Sequence, residues 1–153
     1  DWSSDWCSSD LSRRKGRILA FQALYSWDVG GVPRESLTSF AWAVNVDNPI
    51  IDEGTRVFAT LLIDGTLEHI EEVDSQIKSH ISEKWDFSRL DRVALAILRL
   101  SIYSILYQKD IPHSVVFDEA ITIAKEYGSD DAYKFINAIL DSVKKDSETV
   151  KEG

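Results

Sequence analysis

The sequence lacks the disulfide-forming cysteines of small secreted proteins and the long apolar runs of membrane proteins. Its 153 residues include no methionine, three prolines and one cysteine. Cys7 cannot form a disulfide within the chain, so a reducing compartment is expected. No stretch approaches the roughly 18 apolar residues that a membrane-spanning helix needs, and no continuous apolar segment follows a charged start, as a secretory signal requires. We therefore expect no membrane association.

Positive charge is also scarce, and it is concentrated in one place. The chain has 17 basic and 26 acidic side chains, a net charge of −9, which argues against bulk binding to nucleic acid. Nevertheless Arg13, Arg14, Lys15 and Arg17 crowd the start of a predicted helix. Cations at a helix N-terminus cost roughly a few tenths of a kcal/mol each. Their presence at this helix start therefore suggests that they bind an anion such as a phosphate backbone. A solvated helix flank is the alternative, and the spacing alone does not decide between the two.

The two ends of the chain differ from the rest. Residues 1–11, DWSSDWCSSDL, have no apolar periodicity and resemble the translated end of a sequencing-library adapter. A disordered acidic tail is the alternative, and in either case these residues are left out of the fold prediction. Residues 146–153 are predicted to be a charged, frayed tail.

Helix signals dominate the first half of the remaining chain. A helix is predicted over residues 13–29, ended by Gly30, Gly31 and Pro33. A short helix could follow over 34–43. Residues 51–81 have apolar side chains at helical spacing, which indicates one long helix or two abutting ones.

The second half is also helical. Ser88 is predicted to cap a helix reaching residue 107, with Asp91 completing a near-capping box. This helix is apolar almost all round, which is typical of the centre of a bundle. Pro112 fits the first turn of the next helix, and Ser129 fits the N-cap of the last. The sequence predicts an all-α fold, a compact bundle of six or seven helices, with a division into two small subdomains near residues 82–87.

No catalytic constellation is found. The segment DVGGVP is a turn and not a phosphate-binding loop, and no Cys/His spacing suits a metal. Asp118 and Glu119 are adjacent on a helix and point about 100° apart, so they do not converge on one substrate atom. We predict no enzyme activity, no metal and no cofactor.

A second candidate RNA site lies around the turn at Gly128. Lys125, Tyr127, Asp131 and Lys134 flank this turn. A tyrosine beside two lysines can stack an unpaired RNA base. The alternative, in which Tyr127 packs locally and the lysines are ordinary surface, remains open.

Three segments, in order and at their spacing, resemble the NusB family of transcription antitermination proteins. They are RRKGRILAFQALYSWD, AILRLSIYSIL and DIPHSVVFDEAITIAKEYGSDDAYKFINAILD, with Trp85 between the first and second. The resemblance covers residues 12–145. It implies an all-helical cytoplasmic protein of two small bundles, without catalysis or cofactor. Proteins of this family pair with ribosomal protein S10, bind the boxA RNA of ribosomal RNA leader transcripts and join the RNA polymerase elongation complex.

The resemblance also implies roles for individual residues. The RNA contacts would be Arg13, Arg14, Lys15, Arg17, Lys125, Tyr127, Asp131 and Lys134. The S10 contacts would be Tyr25, Ser88, Asp91 and Arg92. Near the S10 surface the chain departs from the family, because Ala94 and Leu95 replace an acidic–basic pair.

Two other classes of protein share parts of this pattern. One is a fragment of an RNA methyltransferase whose N-terminal domain has this fold, but a complete enzyme would need a cofactor domain with a Gly-rich loop. The other is a helical protein-interaction module without RNA function. Binding of boxA RNA with and without S10 separates that module from an antitermination factor.

Overall fold

A computed structural model describes the backbone of residues 2–39, 53–81 and 86–152, and the side chains of 13–39, 53–81 and 86–146. Within these ranges the chain forms seven α-helices, one 3₁₀ turn and no strand, which confirms the all-α prediction. Trp85 and most of the second half of the predicted 34–43 helix lie outside the described residues.

The bounds of the elements follow the predicted order. They are α1 Trp2–Gly30, α2 Arg34–Leu37, α3 Glu53–Glu68, α4 Ile70–His80, the 3₁₀ turn Phe87–Arg89, α5 Arg92–Tyr107, α6 His113–Tyr127 and α7 Ala132–Glu152. The 51–81 segment is therefore two abutting helices that meet at His69. The backbone of residues 2–11 continues α1 upstream, and α7 continues to Glu152 through most of the predicted tail.

The chain divides into two compact units, Asp1–Gly65 and Thr66–Gly153. The division falls inside α3 and not near residues 82–87, where the sequence placed it. The reason is that α4 packs against α5 and α7 and so belongs to the second unit. The α4–α7 contact includes His80, whose Nε2 lies 2.5 Å from a carboxylate oxygen of Asp146.

In the first unit, α1 approaches α3 at Gly16. A Cβ atom at this position would lie 2.7 Å from Cδ2 of Phe58, closer than packed side chains approach. Glycine therefore permits the contact, and α1 buries Ala20, Ala23 and Leu24 farther along the helix. The helix ends at Gly30, one residue later than predicted, because Gly31 adopts φ +66°, which favours glycine.

In the second unit, α5 is the central helix and contacts α4, α6 and α7. Residues 94–102 are all buried, which confirms the prediction from its all-round apolar pattern. Arg99 is buried among them. Its guanidinium donates two hydrogen bonds, of 2.8 and 3.0 Å, to the carboxylate of Asp74 on α4. This bidentate pair compensates a buried charge that apolar periodicity alone does not predict.

In the second unit, three predicted helix starts differ from the structure. Asp91, and not Ser88, is the N-cap of α5, and its carboxylate accepts from the Ala94 N–H at 3.3 Å. Pro112 lies at the N-cap of α6, one residue before its first turn. Helix α7 begins at Ala132, three residues after Ser129, whose carbonyl accepts from the Ala132 N–H at 3.1 Å. In each of these cases the regular helix begins later in the chain than the sequence pattern predicted.

Candidate nucleic-acid interface

The four basic residues on α1 differ in how far their side chains are exposed. Arg13, Arg14 and Lys15 are exposed, whereas the next residue, Gly16, is buried against Phe58. The tight contact at Gly16 fixes how α1 lies on α3, and it leaves the three preceding cations at the surface. The predicted start of this helix at Arg13 is wrong, because α1 begins at Trp2, so the helix dipole has no effect on these cations. Three exposed positive charges in succession nevertheless suit a polyanion.

Arg17 has a different environment from its three neighbours. It is 8% exposed, and its guanidinium carbon lies 5.3 Å from the ring centroid of Phe58. Such a cation–π contact stabilises by about 0.5–2 kcal/mol. Little of the Arg17 side chain is exposed to a ligand, and its contact with RNA stays a prediction.

The junction of α6 and α7 carries the second predicted cluster. Lys125 lies in the last turn of α6 and Lys134 in the first turn of α7, and both are exposed. Their ammonium groups lie 4.9 and 6.0 Å from the ring centroid of Tyr133. The Lys134 ammonium also lies 3.6 Å from a carboxylate oxygen of Asp131. Tyr133 was missed in the sequence, although its position directly before Lys134 could have indicated it.

A close backbone contact holds this junction together. Gly128 is extended, with φ −94° and ψ −179°, and its N–H donates to the Ala124 carbonyl at 2.8 Å. A Cβ atom here would lie 2.7 Å from that carbonyl oxygen and 3.1 Å from Cβ of Ala132. The junction therefore needs glycine because of the close approach and not because of its φ angle.

Tyr127, the predicted stacking residue, lies directly before this glycine and is 39% exposed. Partial burial raises the pKa of its hydroxyl, and the neighbouring Glu126 carboxylate adds to the shift. The phenol is therefore uncharged at neutral pH. An exposed neutral aromatic ring can stack on a base without repelling the phosphates.

Three of the four predicted S10 contacts lie together at the start of α5. The Arg92 side chain donates to the carbonyl of Ser88, and Asp91 caps the helix. Ser88 in turn donates from its hydroxyl and its N–H to Asp86, and these two hydrogen bonds lower the pKa of the Asp86 carboxyl. The carboxylate of Asp86 is therefore held in its charged form.

The predicted residues are shared between the two units. Tyr25 and the basic run on α1 belong to the first unit. The α6–α7 junction and the Ser88–Arg92 segment belong to the second. Each unit thus carries half of the eight predicted RNA contacts, and the second unit carries three of the four S10 contacts.

The described residues also bear on other kinds of site. Among them, no three His, Cys, Asp or Glu side chains are grouped so that they could hold a metal ion. None of the helices in the described ranges has the length and apolar character needed to cross a membrane.

Comparisons with known proteins agree with the fold. Residues 14–145 match the model of the NusB family. The transcription antitermination protein NusB of Treponema denticola is 50% identical over 137 residues, which cover 90% of this chain and 98% of that protein. The structure of T. maritima NusB superposes with a TM-score of 0.74 at 34% identity, covering 87% of this chain and 90% of that one.

A second solved structure contains further molecules. It is a crystal structure of the antitermination factors NusB and NusE in complex with dsRNA, and its TM-score is 0.77 at 30% identity. The match covers 88% of this chain and 96% of that chain. The family match over most of the sequence, together with a half-identical relative, shows that the chain belongs to the NusB family.

Proposed function

We propose that this protein is a transcription antitermination factor. It binds boxA RNA of ribosomal RNA leader transcripts together with ribosomal protein S10 and joins the RNA polymerase elongation complex. The observation that carries the proposal is the exposed run of Arg13, Arg14 and Lys15 in a chain of net charge −9. The relatives named as antitermination proteins, and the solved complex of NusB and NusE with dsRNA, support it.

The exposed α1 run supplies the electrostatic part of RNA binding. Each cation that neutralises a phosphate releases a condensed counterion, which favours binding and makes it salt-dependent. Arg17 holds α1 against Phe58 and so positions the three exposed cations beside it. RNA binding and the packing of the first unit therefore depend on neighbouring residues of one helix.

The α6–α7 junction supplies contacts of another kind. Lys125 and Lys134 offer two ammonium groups to phosphates, and Tyr127 offers an exposed ring to a base. Both ammonium groups lie near the ring of Tyr133, which keeps them close to each other at the junction. Asp131 pairs with Lys134 and limits where that side chain can reach.

S10 adds the second protein surface. Ser88, Asp91 and Arg92 form one hydrogen-bonded segment that offers both charges to a partner. Tyr25 on α1 is the fourth proposed contact. Because the chain as a whole is acidic, its own affinity for RNA is limited, and binding to S10 extends the surface that holds the RNA.

The protein acts by binding and not by catalysis, and it works in the cytoplasm with the transcription machinery. The single cysteine, and the family's role in transcription, support these two statements. The alternative is a helical protein-interaction module that binds S10 but not RNA.

Gel-shift titrations with boxA and scrambled RNA, each with and without S10, test the proposal. We expect boxA to shift in preference to the scrambled RNA and S10 to strengthen the preference. A matched control is Lys145→Gln, which removes an exposed cation paired with Asp141 outside both clusters. We expect this variant to bind like the parent. Binding of S10 without any boxA preference would instead support the protein-interaction module.

A further inference from the structure

Three near-parallel aromatic rings lie together in the second unit, outside the residues assigned to RNA or S10. His69 lies at the α3–α4 junction, and Tyr103 and Tyr107 are one turn apart on α5. The ring centroids of His69 and Tyr107 are 4.0 Å apart, and those of Tyr103 and Tyr107 are 5.6 Å apart. Tyr107 is 36% exposed, and the other two are half-buried. These three residues are called the aromatic terrace below.

Carboxylates border the aromatic terrace. The Tyr107 hydroxyl donates to the exposed Glu72, and burial together with this hydrogen bond raises the pKa of Tyr107 to about 12. Burial, and then the negative charge of Glu68, raise the pKa of Tyr103. Both tyrosines therefore lie in a negative potential while their rings stay neutral at physiological pH.

Helix stability does not account for Glu68. It is the last residue of α3, where the helix dipole disfavours an anion by roughly a few tenths of a kcal/mol. Glu72, in contrast, lies in the first turn of α4, where an anion is favoured. An exposed carboxylate close to Tyr103, at an unfavourable helix end, suits a surface that binds a cation.

Other aromatic rings of the second unit already have a cation from this chain. Phe87 has the Lys78 ammonium at 4.8 Å and the Arg99 guanidinium at 5.8 Å, and Tyr133 has Lys125. Over the described ranges, no such cation lies on a ring of the aromatic terrace. The terrace thus combines an aromatic face and a carboxylate edge without an internal cation on its rings.

We propose that the aromatic terrace and Glu68 bind an arginine side chain in a basic segment of a partner protein. A guanidinium is planar, stacks on aromatic faces and pairs with carboxylates, which are the two features present here. RNA does not fit this surface, because Glu68 and Glu72 repel phosphates. The proposal is independent of the RNA and S10 contacts, since it uses none of their residues.

An NMR titration tests this binding on the full chain. The probe is a short peptide with two arginines, and its matched control carries citrulline, which has the same shape without the charge. We expect the arginine peptide to shift the ring resonances of Tyr103 and Tyr107 and the citrulline peptide to leave them unchanged. Glu68→Gln should weaken binding by about two- to fivefold, the range for one exposed ion pair.

Two more variants make the result specific. Tyr107→Ala should weaken binding by a similar factor, and Tyr127→Ala, an exposed tyrosine outside the terrace, should not. Since Glu68 is exposed at a helix end, Glu68→Gln keeps the test valid even if Tyr107→Ala unfolds. Equal binding of both peptides, or an unchanged affinity in Glu68→Gln, would overturn the proposal. So would shifts of the terrace resonances by single-stranded RNA but not by the arginine peptide.

Discussion

A single methyl group at Gly128 tests whether close packing holds the α6–α7 junction. The extended backbone of Gly128 is one that alanine adopts without strain. On that ground alone, Gly128→Ala would stabilise the fold by about 0.4–1 kcal/mol, because it restricts the unfolded chain. The added Cβ atom, however, would lie 2.7 Å from the carbonyl oxygen of Ala124 and 3.1 Å from Cβ of Ala132.

Neither of these neighbours can rotate out of the way. One is the backbone of the last turn of α6, and the other is the buried first residue of α7, so both that turn and the start of α7 must shift. Overpacking of this kind costs about 1–3 kcal/mol. Because 2.7 Å is closer than real Cβ atoms approach, the cost lies in the upper part of that range, about 2–3 kcal/mol, and subtracting a gain of up to about 1 kcal/mol leaves a net loss of about 1–2 kcal/mol. For a chain of this size each kcal/mol lowers Tm by about 2–4 °C, which gives a drop of roughly 2–8 °C.

Urea and thermal unfolding followed by circular dichroism measure this loss. Gly30→Ala is the control, because its Cβ would meet only Cγ2 of Val32 at 3.7 Å, an ordinary contact. That variant should be as stable as the parent or slightly more stable. A Gly128→Ala protein with unchanged or higher stability would refute the packing argument.

Three further changes test the second unit. Leu98→Ala, at a fully buried position on α5, should cost about 2–5 kcal/mol, and an unchanged urea midpoint would contradict the central place of that helix. Asp74→Ala leaves the buried Arg99 without its carboxylate and should cost about 3 kcal/mol, so a much smaller loss in the same assay would show that water replaces the carboxylate. The pKa of Tyr107 is raised from 10.0 to about 12, so the stability that this shift provides is complete below pH 10 and is lost as the pH rises through 12. Glu72→Gln should lower this pKa, and an identical phenolate absorbance titration would contradict the assigned hydrogen bond.

Helix content and the central helix could be predicted because they depend on periodic burial. Residues 94–102 are apolar on nearly all sides, and no surface helix has that pattern. Helix starts were less predictable, because several polar side chains compete for the same backbone groups. Ser88 looked like an N-cap, but it donates to Asp86, and Asp91 caps α5 instead.

The sequence indicates which residues are candidates for the site, but it could not show which of their side chains are buried. Arg13 and Arg17 fall on one arc of α1, yet Arg17 lies on Phe58 from another helix. Tyr133 acquires its place near two lysines only when α6 and α7 meet at the junction. Contacts between helices that are distant in sequence decide both cases.

The salt dependence of boxA binding, measured with S10 present, decides whether the exposed run on α1 contacts the RNA. The variant replaces Arg13, Arg14 and Lys15 with Gln, which forms helix as readily, so the fold should be kept. Each lost phosphate contact should reduce the slope of log K against log salt by about 0.7, or by about 2 for all three, with weaker binding at low salt. Lys145→Gln should leave both quantities unchanged. If the triple variant binds boxA with the parent's affinity and slope, the exposed run on α1 is a solvated helix edge and the proposed RNA site is wrong.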